Sequence, residues 1–143
     1  MQPIRLLFAV TALAAGHAMA ADLGGDVEVV VENVRADGGT VMVQLCDRGH
    51  FLGKCALGAQ APGHKGSALV VFHNVPPGDY AAMAFHDRNS NGTLDRWMGI
   101  PKEDFGFSRM SGLPLRPPRF KDSVFTHGAT DQKLTVKLNN YFG

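Results

Sequence analysis

The residue types best suited to chemistry gather in Phe85-His86-Asp87-Arg88-Asn89-Ser90-Asn91-Gly92-Thr93-Leu94-Asp95. The core of this segment reads D-x-N-x-N-G-x-L-D. Asp87, Asn89, Asn91 and Asp95 can aim side-chain oxygens at one point, the Thr93 carbonyl can join them, and Gly92 permits the tight turn between them. That is the donor pattern of a calcium loop, since a hard cation wants six to eight oxygens. Met98 stands where an EF-hand carries its bidentate Glu, and the segment follows a strand-like run, so the loop is not an EF-hand. Asp87 and Asp95 are its two local carboxylates, and water, Glu103 or Asp104 would have to complete the shell. So low a charge count predicts an affinity of about 10⁻⁴–10⁻³ M. Asn, Asp, Ser and Gly also build ordinary turns, because their side chains satisfy nearby backbone groups. The spacing supports both readings, a weak calcium site and a self-satisfied turn.

Cys46 and Cys55 are the two cysteines. In an oxidising compartment an even pair is expected to join. A bridge over so short a loop is worth about 2–3 kcal/mol. A metal or redox pair usually has closer spacing and more Cys or His nearby. His50, His64, His73, His86 and His127 show no metal-pair spacing within a helix. Gly106-Phe107-Ser108-Arg109-Met110 lacks the second Gly of a nucleophile elbow, which makes Ser108 a structural residue. No Gly-rich phosphate loop opens a helix. The stretch 87–118 also carries Trp97, Phe105 and Phe107, interleaved with Arg96, Lys102 and Arg109. These aromatics form either a recognition surface or a cap folded back over an open end of the domain; the cost of exposed aromatics favours the cap. With no persuasive catalytic constellation, the expectation is a non-catalytic binding or structural module. The alternative is a small periplasmic hydrolase or carbohydrate-acting enzyme with its site on the 87–118 loop.

The elements that must position these residues are strands. Residues 1–20 read as a cleaved secretory signal peptide: Arg5, the apolar run Leu6–Ala15, then Ala18-Met19-Ala20. The run is too short to span a bilayer, position 21 is not Cys, and no twin-Arg pair precedes it. The expected destination is the periplasm or the exterior, with residues 21–143 as a single domain. Without Arg5, acidic and basic residues balance, which offers no electrostatic case for nucleic acid. No integral membrane segment is expected after signal removal, and the partner is an unidentified protein or small molecule.

Seventeen Gly and eight Pro favour a turn-rich β fold. Val27, Val29 and Val31 alternate with polar residues, as do Val41, Val43 and Leu45. Asp37-Gly38-Gly39 between these runs predicts that they pair as a hairpin. Residues 47–66 read as loop. Further strands are predicted over 68–75, 80–86, 122–126 and 133–138, with 80–86 apolar on both faces and therefore central. The pattern predicts an all-β Greek-key sandwich of about six or seven antiparallel strands with one long ordered loop. An outer-membrane barrel would need longer strands and aromatic girdles.

Three stretches in order, Val75-Pro76-Pro77-Gly78-Asp79-Tyr80-Ala81, the Asp87–Asp95 loop and Met98-Gly99-Ile100-Pro101-Lys102-Glu103-Asp104-Phe105-Gly106-Phe107-Ser108, resemble the bacterial family catalogued as domain of unknown function 2141. The resemblance covers nearly all of the chain beyond residue 20 and implies a short exported protein ending in a strand. It supplies no catalytic residue, because the family has no established activity. The P-P-G-x-Y turn entering a strand also looks like the prealbumin (transthyretin-like) sandwiches, an analogy that concerns fold alone.

Calcium at residues 87–95 predicts that millimolar Ca²⁺ raises the melting temperature of chelator-stripped protein and leaves an Asp87→Ala/Asp95→Ala variant unmoved. An unchanged melting temperature in the parent protein returns the loop to turn chemistry.

Overall fold

The computed structural model describes residues 24–143, so the predicted signal peptide lies outside the described residues. Ten strands and one short helix follow in order: β1 (Val27–Val34), β2 (Thr40–Cys46), β3 (Leu57–Pro62), β4 (Gly66–Phe72), β5 (Gly78–Asp87), β6 (Arg96–Trp97), β7 (Ile100–Pro101), β8 (Phe105–Phe107), α1 (Phe120–Ser123), β9 (Val124–His127) and β10 (Gln132–Lys137). One sheet runs β10-β1-β4 and the other β3-β2-β5-β8, with β9 also on β5; β6 and β7 make a separate two-stranded ribbon. The fold is an all-β sandwich, and no helix among the described residues is long and apolar enough to cross a membrane.

Period-two alternation explains the core. Val27, Val29 and Val31 of β1 are buried with Val41, Val43 and Leu45 of β2, Val70 and Phe72 of β4, Ala82 and Ala84 of β5, and Val136 of β10. β5 is central, as its two apolar faces predict. β2 flanks one side of it; β9 covers its first half on the other side and β8 its second half.

The predicted hairpin of β1 with β2 does not form. β1 pairs with β4 and β10, while β2 pairs with β3 and β5. The Asp37-Gly38-Gly39 turn carries the chain from one sheet to the facing one, with Gly38 and Gly39 at φ 86° and 66°. Gly38 N–H donates to the Gly63 carbonyl, and Gly63 N–H to the Gly39 carbonyl, which fixes the crossing. The two valine stripes thus meet across the core instead of lying side by side. A second departure is that β1 and β10 run parallel. A third is β3, which falls within 47–66; its alternation of small residues ending in Pro62 carries little strand signal and suits an edge strand. The long 87–118 stretch also holds the short strands β6, β7 and β8.

Cys46 and Cys55 are joined, with Cα atoms 4.9 Å apart. The bridge folds residues 47–54 back over the sheet that β2 belongs to.

β8 comes close to the facing sheet. A Cβ on Gly106 would stand 2.1 Å from the Lys137 carbonyl oxygen and 3.1 Å from a Val136 methyl. Gly106→Ala therefore has to part β8 from β10, and the expected loss is about 3 kcal/mol, the upper end of typical overpacking, because the obstacle is backbone. Urea unfolding of this variant beside Gly58→Ala, whose Cβ meets nothing within 4 Å, checks it; equal midpoints would contradict the close approach.

Candidate functional site

The outer face of the β3-β2-β5-β8 sheet carries a second, smaller apolar cluster. Phe85, Phe105 and Phe107 are buried there, packed with Met42, Phe51, Met83, Leu94, Met110 and Leu113. Phe105 and Phe107 lie either side of Gly106, so the glycine faces inward and both rings point outward. Loops must cover this face. Phe51, from the disulfide loop, meets the Phe107 ring edge-on at 5.9 Å and the Phe120 ring of α1 at 5.8 Å. Tyr141 covers Phe105 at 5.7 Å, and its hydroxyl donates to the Pro114 carbonyl. Phe105 and Phe107 are thus interior residues, while Trp97 is 56% exposed and meets Phe142 edge-on.

The Asp87–Asp95 loop springs from the end of β5, and the structure brings its candidate ligands together. Asp87 is buried; one carboxylate oxygen accepts Asn91 N–H at 3.1 Å and the other Gly92 N–H at 2.7 Å. The side-chain carbonyls of Asn89 and Asn91 accept the N–H groups of Asn91 and Thr93. The NH₂ groups of Asn89 and Asn91 donate to the two Asp95 oxygens at 2.7 and 2.8 Å. These two amide bonds, first Asn91 and then Asn89, hold the Asp95 carboxyl below its ordinary pKa. Every candidate side chain is engaged within the loop. A cation would need both amides rotated so that carbonyl oxygens replace NH₂ groups beside Asp95.

Two neighbouring acids, Glu103 and Asp104, secure this loop. Glu103 accepts Arg88 N–H at 3.0 Å through one oxygen and Asp95 N–H at 3.1 Å through the other, closing the loop at its neck. Burial pushes its carboxyl above the ordinary value, against the opposing effect of those two backbone donors. Asp104 is buried between Arg35 at 2.6 Å and Arg88 at 2.8 Å and also accepts from Asn140. Burial would raise its pKa, but donation by Arg35, Asn140 and Arg88 outweighs it and holds the carboxyl below the ordinary range. Ser108 is structural, donating to the Ser123 carbonyl at 2.5 Å and accepting Ala82 N–H. Among the histidines, His86 is buried on the inner face with Nε2 against the Gly38 carbonyl, and His127 is buried beside Gln132 and Gly25; His50 and His73 pair with Asp47 and Asp26 at the surface.

The loops do not cover the outer face completely. They leave an open groove of about 660 Å³ whose lining includes Met83, Phe105 and Phe107 from the sheet. Leu94, Arg96, Ile100 and Pro101 line it from the β6–β7 side, and residues 114–118 from the proline-rich segment. Sequence reasoning placed Phe105 and Phe107 in a cap but missed the groove, and Leu52, Leu115 and Tyr141 with it. Its lining comes from six separated segments. The one local signal was Pro114-Leu115-Arg116-Pro117-Pro118, where a leucine sits in a stretch that cannot form a ladder; Leu115 is fully exposed.

A family model described as "Uncharacterized protein conserved in bacteria (DUF2141)" matches residues 29–135. No curated protein and no solved structure matches the chain.

Glu103 and Asp104 give opposite acid responses. The folded pKa of Asp104 lies below its unfolded value near 3.8, so its contribution is full above that pH and is lost as pH falls further. The folded pKa of Glu103 lies above 4.5, so its charged form costs stability at neutral pH, and the cost is relieved as pH falls toward 4.5. Asp104→Asn is expected to lower stability at pH 7 by about 1.5–3 kcal/mol and to flatten the acid limb below pH 3.8. Denaturant midpoints across pH 2–7 (roughly the span of carboxylate titration) check this; an unchanged acid limb rules the Asp104 cluster out as its source.

Proposed function

The chain belongs to the DUF2141 family, and from that premise we propose that it is an exported, non-catalytic binding module whose ligand is a small apolar molecule seated in the groove. The groove itself carries the reading. It has the size of small-molecule sites, it is walled by apolar side chains, and its floor stands on a rigid sheet. Its ionisable lining groups are Arg96, Arg116 and Tyr141, which suit binding better than the acid–base pair hydrolysis requires. The Cys46–Cys55 bridge supports an oxidising compartment, the periplasm or the exterior. Calcium at Asp87, Asn89, Asn91, Thr93 and Asp95 belongs to the same reading as an ion that would set the loop ahead of the groove wall; the residue pattern supports it.

The uncharged, polarity-sensitive dye Nile red tests the groove. Saturable one-to-one fluorescence enhancement is expected. Met83→Trp, which fills the floor, and Leu115→Asp, which charges the exposed rim, should each weaken it at least about tenfold, a change of about 1.4 kcal/mol. Melting temperatures verify folding, and Leu115→Asp serves if Met83→Trp does not fold. Enhancement equal in the parent protein and in folded variants would place the dye elsewhere and remove the groove as the binding site.

A further inference from the structure

The groove is apolar along its walls, but its charge is one-sided. Arg96, on β6, is exposed, and among the described residues no carboxylate lies within ion-pair distance of it; its guanidinium donates only to the Gly99 carbonyl, at 3.3 Å. Arg116, also in the lining, shares the single carboxylate of Asp122 with Arg119, at 3.3 and 3.0 Å. The three guanidinium groups of Arg96, Arg116 and Arg119 thus have one ion-paired carboxylate among them, that of Asp122. The resulting positive charge sits at the edge of a surface made of Met83, Phe105, Phe107 and Leu115.

Apolar walls and an uncompensated guanidinium ask different things of one ligand. The walls favour a hydrocarbon with no polar groups to desolvate. The guanidinium favours an oxyanion that meets its planar fork with two parallel hydrogen bonds. We propose that the groove takes a single-chain anionic amphiphile, a long-chain carboxylate, with its alkyl chain over Phe105, Phe107 and Met83 and its carboxylate at Arg96, with Arg116 as the second cationic contact. The inference rests on the groove being the binding site, as proposed above. Pro101, Pro114, Pro117 and Pro118 stiffen the walls, so a flexible chain conforms to the groove more readily than the groove to a rigid ligand.

Three probes with one chain and different heads test this: decanoate, decanol and decyltrimethylammonium, each titrated calorimetrically below its micellar concentration into the full protein. Decanoate is expected to bind one-to-one and at least about tenfold more tightly than decanol, with decyltrimethylammonium weakest. Added salt should narrow the gap between decanoate and decanol. Arg96→Gln should weaken decanoate while leaving decanol itself unchanged, and Arg96→Gln/Arg116→Gln should bring decanoate down to the decanol affinity. Arg96 is exposed, so its replacement leaves the fold intact, and a melting curve verifies that. Decanol binding as tightly as decanoate to the parent protein overturns the anionic head and leaves the apolar groove standing. A decanoate preference that persists in Arg96→Gln/Arg116→Gln also overturns the assignment. Failure of all three probes removes the groove reading itself. Association with anionic phospholipid vesicles without decanoate binding overturns the proposal in favour of a membrane surface.

Discussion

Gly106 presses so near the facing sheet that no side chain fits between its Cα and the Lys137 backbone. Strand alternation turns both of its neighbours the other way, and Phe105 and Phe107 must then be buried outside the sandwich rather than within it. This one contact forces a third layer on a two-sheet protein. The disulfide loop contributes Phe51, α1 contributes Phe120, and the segment after β10 contributes Tyr141. The groove is the part of the outer face that these three pieces leave open, so its position follows from the glycine rather than from any residue that lines it.

Three buried carboxylates explain how the long stretch between β5 and α1 stays ordered with so little regular structure. The turns of this stretch have N–H groups that no ladder pairs. Asp87 takes two of them, from Asn91 and Gly92, and Glu103 two more, from Arg88 and Asp95. Asp104 differs: its partners are two guanidinium groups and an amide, and it ties this stretch to β1 through the neighbouring Arg35. Acidic residues that a composition count would place on a solvated surface here stand in for missing secondary structure.

The sequence pattern reveals faces better than neighbours. Alternating valines in β1 and β2 correctly mark their inward sides, and two apolar faces mark β5 as central. Alternation carries no information about which strand lies alongside, so the valine stripes fit a hairpin as well as the two facing sheets that form. The parallel pairing of β1 with β10 joins positions about a hundred residues apart, such as Val29 with Leu134, and has no local signature. Side-chain chemistry divides similarly. The Asx-rich turn at 87–95 is legible because its hydrogen bonds run between residues close in sequence. The Arg35–Asp104 pair and the groove are not, because they come from segments brought together only by the completed fold.

Glu103 holds both ends of the 87–95 loop, and the chain leaves that loop directly into the β6–β7 ribbon, whose Arg96, Gly99, Ile100 and Pro101 line the groove. The two regions therefore share an anchor and adjoin along the chain. Whatever free energy passes between them obeys linkage: the factor by which a change in the loop alters groove affinity equals the factor by which groove occupancy alters the loop's own equilibrium. On the reading proposed for groove and loop, one glutamate with two backbone partners links two sites within this small protein.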